Sequence, residues 1–142
     1  MEQKIVVKKF EQLTPREVYE ILKERTAVFV VEQECPYQEV DGTDYDSLHV
    51  WIEENNNIIA YLRIFDKDKA TNTVQIGRVL SVRRGEGLGA KVLEKGIAAA
   101  KEEMGAKAIF IEAQTYALAF YEKFGFEKND TLFMQRWTKV FR

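Results

Sequence analysis

The chain has 142 residues, 46% of them hydrophobic and 31% charged, and its 21 basic against 23 acidic side chains leave a net charge of −2. That is one domain, 1–142, able to bury about 68–70% of its unfolded surface, with no electrostatic basis for nucleic-acid binding. No apolar run approaches the roughly 20 residues that span a bilayer, the start Met1-Glu2-Gln3-Lys4 lacks a signal-peptide pattern, and Cys35 is the only cysteine; a cytoplasmic protein without membrane contact, internal disulfide or redox chemistry is expected.

Lys4 to Phe10 is rich in β-branched residues and reads as a strand. Thr14, Pro15 and Glu17 then mark a helix start, with Thr as cap, Pro at the first helical position and Glu completing a capping box. The helix is predicted to reach about Val31, with Val18, Ile21, Leu22, Val28 and Phe29 on its packed face. Residues 35–47 form a loop of a length more often functional than connecting. From Glu32 to Asp46 there are six acids and no base; such a segment is either a solvated acidic loop or an attractor for a cationic partner.

Leu48, Val50 and Ile52 alternate with His49, Trp51 and Glu53, the period of a half-buried strand. A turn at 55–57, a strand Ile58 to Phe65, a second turn Asp66 to Asn72 and a strand Thr73 to Val82 complete an antiparallel meander. Next come Gly85, Gly87 and Gly89 at every second position, joining that strand to a helix whose apolar residues Leu88, Val92, Leu93, Ile97, Ala100 and Met104 recur at helical spacing before Gly105 closes it. Such a junction presents backbone N–H groups at a helix N-terminus and suits a phosphorylated ligand. The spacing is neither the G-x-G-x-x-G of a dinucleotide turn nor a P-loop.

Ala108 to Ile111 is a continuous apolar run, as in a strand covered on both faces. Strand, long helix and strand imply a right-handed crossover and one parallel pair at the centre of a mixed sheet. A short helix from Tyr116 to Lys123 and a closing hairpin, 124–128 with 132–140 about Asn129 and Asp130, end the chain. The fold class is therefore α/β, a mostly antiparallel sheet with one parallel strand pair and flanking helices.

Arg84-x-x-Gly87-x-Gly89 resembles the acyl-coenzyme A loop of the GNAT acetyltransferases, and Ala113 to Phe126, with Tyr121, Gly125 and Phe126, is similar to the same family's C-terminal signature. Arg25 to Asp46, including Val28 to Gln33 and Cys35-Pro36-Tyr37, resembles the small ElaA-like branch, so the likeness spans nearly the whole chain. It implies an acetyl-CoA-dependent N-acetyltransferase acting on a primary amine. Coenzyme A would then lie on the N–H groups of Arg84, Gly85, Gly87, Leu88, Gly89 and Ala90, with its pantetheine arm along a bulged strand at Val79, Leu80 and Ser81. Gln114 would face the cofactor and Tyr121 would protonate the departing sulfur, a phenol being protonated at neutral pH; Tyr116 is the fallback. The chain is shorter between Arg78 and Arg84 than that family usually is, and lacks its Pro-His near the last strand.

Several roles stay open. Glu112, Glu32 and His49 are all candidate bases or substrate contacts, although His49, sharing a strand face with Trp51, equally suits a packed histidine. Gln114 also suits a helix cap and Tyr121 a packed ring; Cys35 has no nearby histidine to make it a nucleophile. The acidic segment points to a cationic acceptor, a small molecule or a protein lysine, and a homodimer is compatible with the fold. A non-catalytic acyl-CoA-binding module and an acyl-homoserine-lactone-type synthase are the rival functions.

Overall fold

A computed structural model describes residues 2–32, 39–114, 118–128 and 134–141. Its elements, in chain order, are β1 (Gln3–Lys9), α1 (Pro15–Arg25), β2 (Leu48–Glu54), β3 (Asn57–Asp68), β4 (Thr73–Ser81), α2 (Leu88–Met104), β5 (Ala108–Gln114), α3 (Leu118–Glu122), β6 (Glu127–Lys128) and β7 (Met134–Val140). Short 3-10 turns occupy Phe10–Gln12 and Thr43–Asp46, and a π-helical turn, Thr26–Glu32, continues α1.

The strands form one seven-stranded sheet in the order β1-β2-β3-β4-β5-β7-β6, in which only β4 and β5 run parallel. The meander and the central parallel pair are as the sequence predicts. The predicted single helix to Val31 is instead an α-helix of 11 residues extended by the wider π turn. Its start is as read: Thr14 Oγ1 accepts from the Glu17 amide at 3.1 Å and Glu17 returns the bond to the Thr14 amide at 2.9 Å. Between β2 and β3, Asn55 and Asn56 both take positive φ, 52° and 64°, as a two-residue hairpin turn requires.

Helix α1 covers one face of the sheet, and α2, with the short α3, the other. Against α2 lie Val50, Ile52, Leu62, Ile64, Val74, Ile76, Ile109 and Ile111, with Val92, Leu93 and Ala100 of the helix. On the other face, Ile21 of α1 packs with Trp51, Tyr61 and Leu80, flanked by Val28 and Phe29 of the π turn. The side chains of one strand divide between these faces because the strand period is two.

Helix α2 sits so close to the sheet that Gly96 has no room for a Cβ, which would stand 2.8 Å from Leu62 Cδ2. Gly96→Val is therefore expected to lower unfolding stability in urea by about 1–3 kcal/mol through overpacking against a fully buried Leu62. An unchanged midpoint would contradict this seating of the helix.

Candidate active site

Strands β4 and β5 pair only at Thr73–Ala108, Val74–Ile109 and Gln75–Phe110, although they continue to Ser81 and Gln114. Beyond the last pair they part, opening a gap at their carboxyl ends, where ligands of α/β sheets characteristically bind. The amide of Val82 donates to Ile59 O at 2.9 Å, and Tyr61 stands opposite Leu80. Alternate residues of an antiparallel strand face the same neighbour, so Leu80 turns its N–H toward β3 and Ser81 turns its own toward the gap. Of the candidates Val79, Leu80 and Ser81, the side chains of the first two are packed, Val79 under α2 and Leu80 on the α1 side, 4% exposed.

The glycine loop follows at the same end. Gly87 caps α2 with φ 70°, a conformation glycine takes without strain, and no side chain caps the helix. The first-turn amides of Leu88, Gly89 and Ala90 are thus left for a ligand. A Cβ on Gly85 or Gly87 would meet nothing within 4 Å, so the loop faces open space. Arg84 is exposed and forms no ion pair among the described residues. Its neighbour Arg83 is engaged, hydrogen-bonding Glu54 at 2.9 and 3.2 Å and standing in an ion pair with Glu86 at 3.1 Å, which ties the loop to the end of β2.

Tyr121 lies on α3, which follows β5. The amides of Gly125 and Phe126 close that helix by donating to Glu122 O (3.0 Å) and Tyr121 O (3.3 Å), a Schellman ending with Gly125 at φ 86°. This gives the Tyr-x-x-Phe-Gly-Phe pattern a structural reason: it folds Phe126 back onto the Tyr121 ring, with centroids 5.9 Å apart, while Phe120 touches the ring from another side at 5.2 Å. Tyr121 is 8% exposed, and a Cβ added at Gly89 of α2 would stand 3.9 Å from Phe120 Cζ. Glu112, two residues past the last β4–β5 pair, is exposed. Gln114 ends β5, but its side chain, that of Glu32, and all of Cys35 and Tyr116 lie outside the described residues.

Two sequence expectations need correction. In its described part, 39–46, the acidic segment is not simply a solvated loop, because Glu39, Asp41 and Asp44 pair with arginines from the body of the fold, while Asp46 is exposed. Arg25 of α1, fully buried, donates Nε to Glu39 Oε2 (2.8 Å), Nη1 to Asp44 Oδ1 (2.6 Å) and Nη2 to Glu39 O (2.8 Å). Arg63 of β3 forks onto Asp41 at 2.9 and 2.8 Å and reaches Asp44 at 3.1 Å. Arg78 of β4 donates Nε to Glu39 Oε2 at 2.7 Å, and its Nη2 lies 3.4 Å from Asp41. Three cations meet three anions and cancel. Burial opposes the charge on Asp44, yet the bond from Arg25 and the charges of Arg25 and Arg63 hold its carboxyl below the usual range; for Asp41 the Arg63 bond dominates and holds it well below.

His49 is likewise no substrate contact or base at the gap. It is 1% exposed, with Nε2 3.0 Å from Asp44 O and Nδ1 2.6 Å from the Tyr61 hydroxyl. A carbonyl only accepts, so Nε2 carries the proton and Nδ1 accepts from Tyr61. Burial keeps this imidazole below its ordinary pKa, and so neutral. It borders a cavity of about 220 Å³ formed with Phe10, Val18, Leu22, Val40 and Tyr45. In β2 it stands at the end away from Glu54 and the glycine loop.

The arginines that sequence reading missed leave a faint signal: Arg25 falls within the helix's apolar stripe, and Arg63 interrupts a buried strand. Removing one partner of a buried pair strands the other, so Arg25→Leu should cost about 3–5 kcal/mol in denaturant unfolding; a loss under about 1 kcal/mol, the worth of an exposed pair, would contradict the burial seen here. The unfolded chain's histidine takes up a proton below about pH 6.5, which native His49 refuses. Stability is thus full above about pH 6.5 and falls below it by up to about 1.4 kcal/mol per pH unit. In His49→Asn that component of the slope should vanish, leaving the loss below about pH 4 where Asp41 and Asp44 resist protonation; an unaltered slope near pH 6 would count against a neutral buried imidazole.

The Acetyltransferase (GNAT) family profile matches residues 16–126. Protein ElaA of Escherichia coli is 37% identical over 119 residues, 81% of this chain and 78% of its own; its crystal structure has a TM-score of 0.87 at 31% identity, covering 97% of this chain and 99% of that one. An acyl-CoA N-acyltransferase from Pseudomonas aeruginosa is similar at a TM-score of 0.90 and 34% identity, covering 98% and 100%. The PaiA N-acetyltransferase of Thermoplasma acidophilum, crystallised with coenzyme A, shares the fold at a TM-score of 0.72 with 13% identity, covering 97% and 99%. Uncapped helix, parted strands and family profile converge: this chain belongs to the GNAT family of acetyltransferases.

Proposed function

We propose that the protein moves an acetyl group from acetyl-coenzyme A to a primary amine by direct attack. The observation that carries the reading is the glycine-opened, uncapped start of α2 beside the parting of β4 and β5. The coenzyme A present in the Thermoplasma relative's crystal supports it. Acetyl-coenzyme A supplies an activated thioester. The amides of Gly85, Gly87, Leu88, Gly89 and Ala90 would hold its pyrophosphate, with Arg84 adding a charge-assisted bond. The backbone from Val79 through Leu80 to Ser81 would line the pantetheine arm, and the Ser81 N–H, turned toward the gap, would donate to the thioester oxygen as negative charge develops there, with Gln114 at the facing strand end.

The amine nitrogen bonds to the carbonyl carbon as the carbon–sulfur bond breaks. Tyr121 gives its phenolic proton to the leaving thiolate, and the proton lost by the amine passes to Glu112 or Glu32, or to water. His49 takes no part. The arginine network neutralises Glu39, Asp41 and Asp44, so a cationic acceptor would draw its attraction from other acids. Charge would help only through Glu32, Glu112 or another exposed acid at the gap.

In the Tyr121→Phe variant, acetyl-coenzyme A affinity measured by calorimetry should stay within about twofold while turnover of a reactive amine falls about 10²–10⁴-fold. Full turnover in the variant would remove Tyr121 as the acid. Binding by the wild type without turnover of any amine in a broad screen would favour an acyl-CoA-binding module.

A further inference from the structure

Strand β4 contains a bulge, one of several register shifts in the sheet, and its anchoring is distinctive. Tyr61 stands opposite Leu80 and Arg63 opposite Gly77, so one intervening residue of β3 faces two of β4, Arg78 and Val79. The extra residue reverses the strand's parity: Val74 and Ile76 face α2 before it, Val79 packs with that same core after it, and Leu80 turns to the α1 side. All of this happens beyond Gln75, where β5 has left. Where a bulge residue is left-handed it is normally glycine, yet here Arg78 takes that conformation, at φ 53°.

What Arg78 brings that glycine lacks is a guanidinium. Its Nε bonds Glu39 Oε2 at 2.7 Å, and its Nη2 lies 3.2 Å from Glu39 O and 3.4 Å from Asp41 Oδ2. Both acids are held from elsewhere. Glu39 is gripped by Arg25 through carboxylate and carbonyl, at 2.8 Å each, and Asp41 by the Arg63 fork. Arg25 and Arg63 are buried on α1 and β3. The bulge is therefore tethered, through two carboxylates, to two fixed points outside its own strand.

We propose that Arg78 is a positioning residue, which through Glu39 and Asp41 fixes the direction of β4 from Val79 to Ser81 and so the aim of its backbone groups into the gap. This rests on the reading of the gap as the acyl-coenzyme A site. The residue touches no reacting atom; it acts through the strand it bends.

Amide NMR of the wild type and of Arg78→Gly, each with coenzyme A and with acetyl-coenzyme A, tests this. Glycine accepts φ 53° without strain, so the variant removes the tether and not the conformation. In the wild type, Gly85–Gly89 amides should shift with both ligands, and Val79–Ser81 amides should differ between the two. In Arg78→Gly the loop response should persist and the acetyl-dependent difference at Val79–Ser81 should be lost, with Glu39→Gln giving a partial loss should the glycine variant not fold. A variant that keeps the acetyl-dependent shifts overturns the positioning role and leaves the acetyltransferase reading standing. Loop amides silent in the wild type overturn that reading, and the inference with it.

Discussion

The cluster of Arg25, Arg63 and Arg78 with Glu39, Asp41 and Asp44 is the constraint on which the active half of this molecule depends. Burying the Arg25 and Arg63 guanidinium groups singly would be prohibitive; setting them, with the half-buried Arg78, against three carboxylates is feasible and leaves no net charge. The cluster draws one residue each from α1, β3 and β4 and closes the 39–46 segment over that face of the sheet. It is not saturated, since Asp44 Oδ2 is buried with no hydrogen-bond partner among the described residues. A network of this kind contributes more to geometry than to stability.

Two ends of the sheet accordingly do different work. At their carboxyl ends β4 and β5 are released from pairing with each other and a helix starts without a cap, leaving polar groups for a ligand. At the other end of β2, His49, Tyr61 and the Asp44 carbonyl form a closed chain of hydrogen bonds. The bulge at Arg78 and Val79 lies between the two. Helix α2, pressed onto Leu62 through Gly96, holds the glycine loop at a fixed height above the strands.

Local signals made much of this legible in the sequence. Thr14-Pro15-Glu17, the Asn55-Asn56 turn, the helical spacing from Leu88 to Met104 and Gly105 each encode their own geometry within a few residues. The order of strand, crossover helix and strand then fixes the parallel pair. The glycine loop was legible for the same reason, since its chemistry is that of its own backbone. The ion-pair cluster was not, because its partners lie 14 to 39 residues apart and nothing local distinguishes a carboxylate paired with a distant arginine from a solvated one. His49 shows the same limit: alternation placed it on a strand face, but only the fold reveals Tyr61 and Asp44 closing around it. The bulge was anticipated as a family feature near Val79 to Ser81, yet its onset at a non-glycine residue, Arg78, is invisible without the register.

The measurement that bears most directly on the account is a crystal structure of the protein grown with acetyl-coenzyme A. It should show the pyrophosphate on the amides of Leu88, Gly89 and Ala90 and the thioester between β4 and β5 beside Val79–Ser81, with Tyr121 on the sulfur side. Ligand bound elsewhere, for instance in the cavity beside His49, or strands β4 and β5 closed to pairing beyond Gln75 and Phe110, would contradict it.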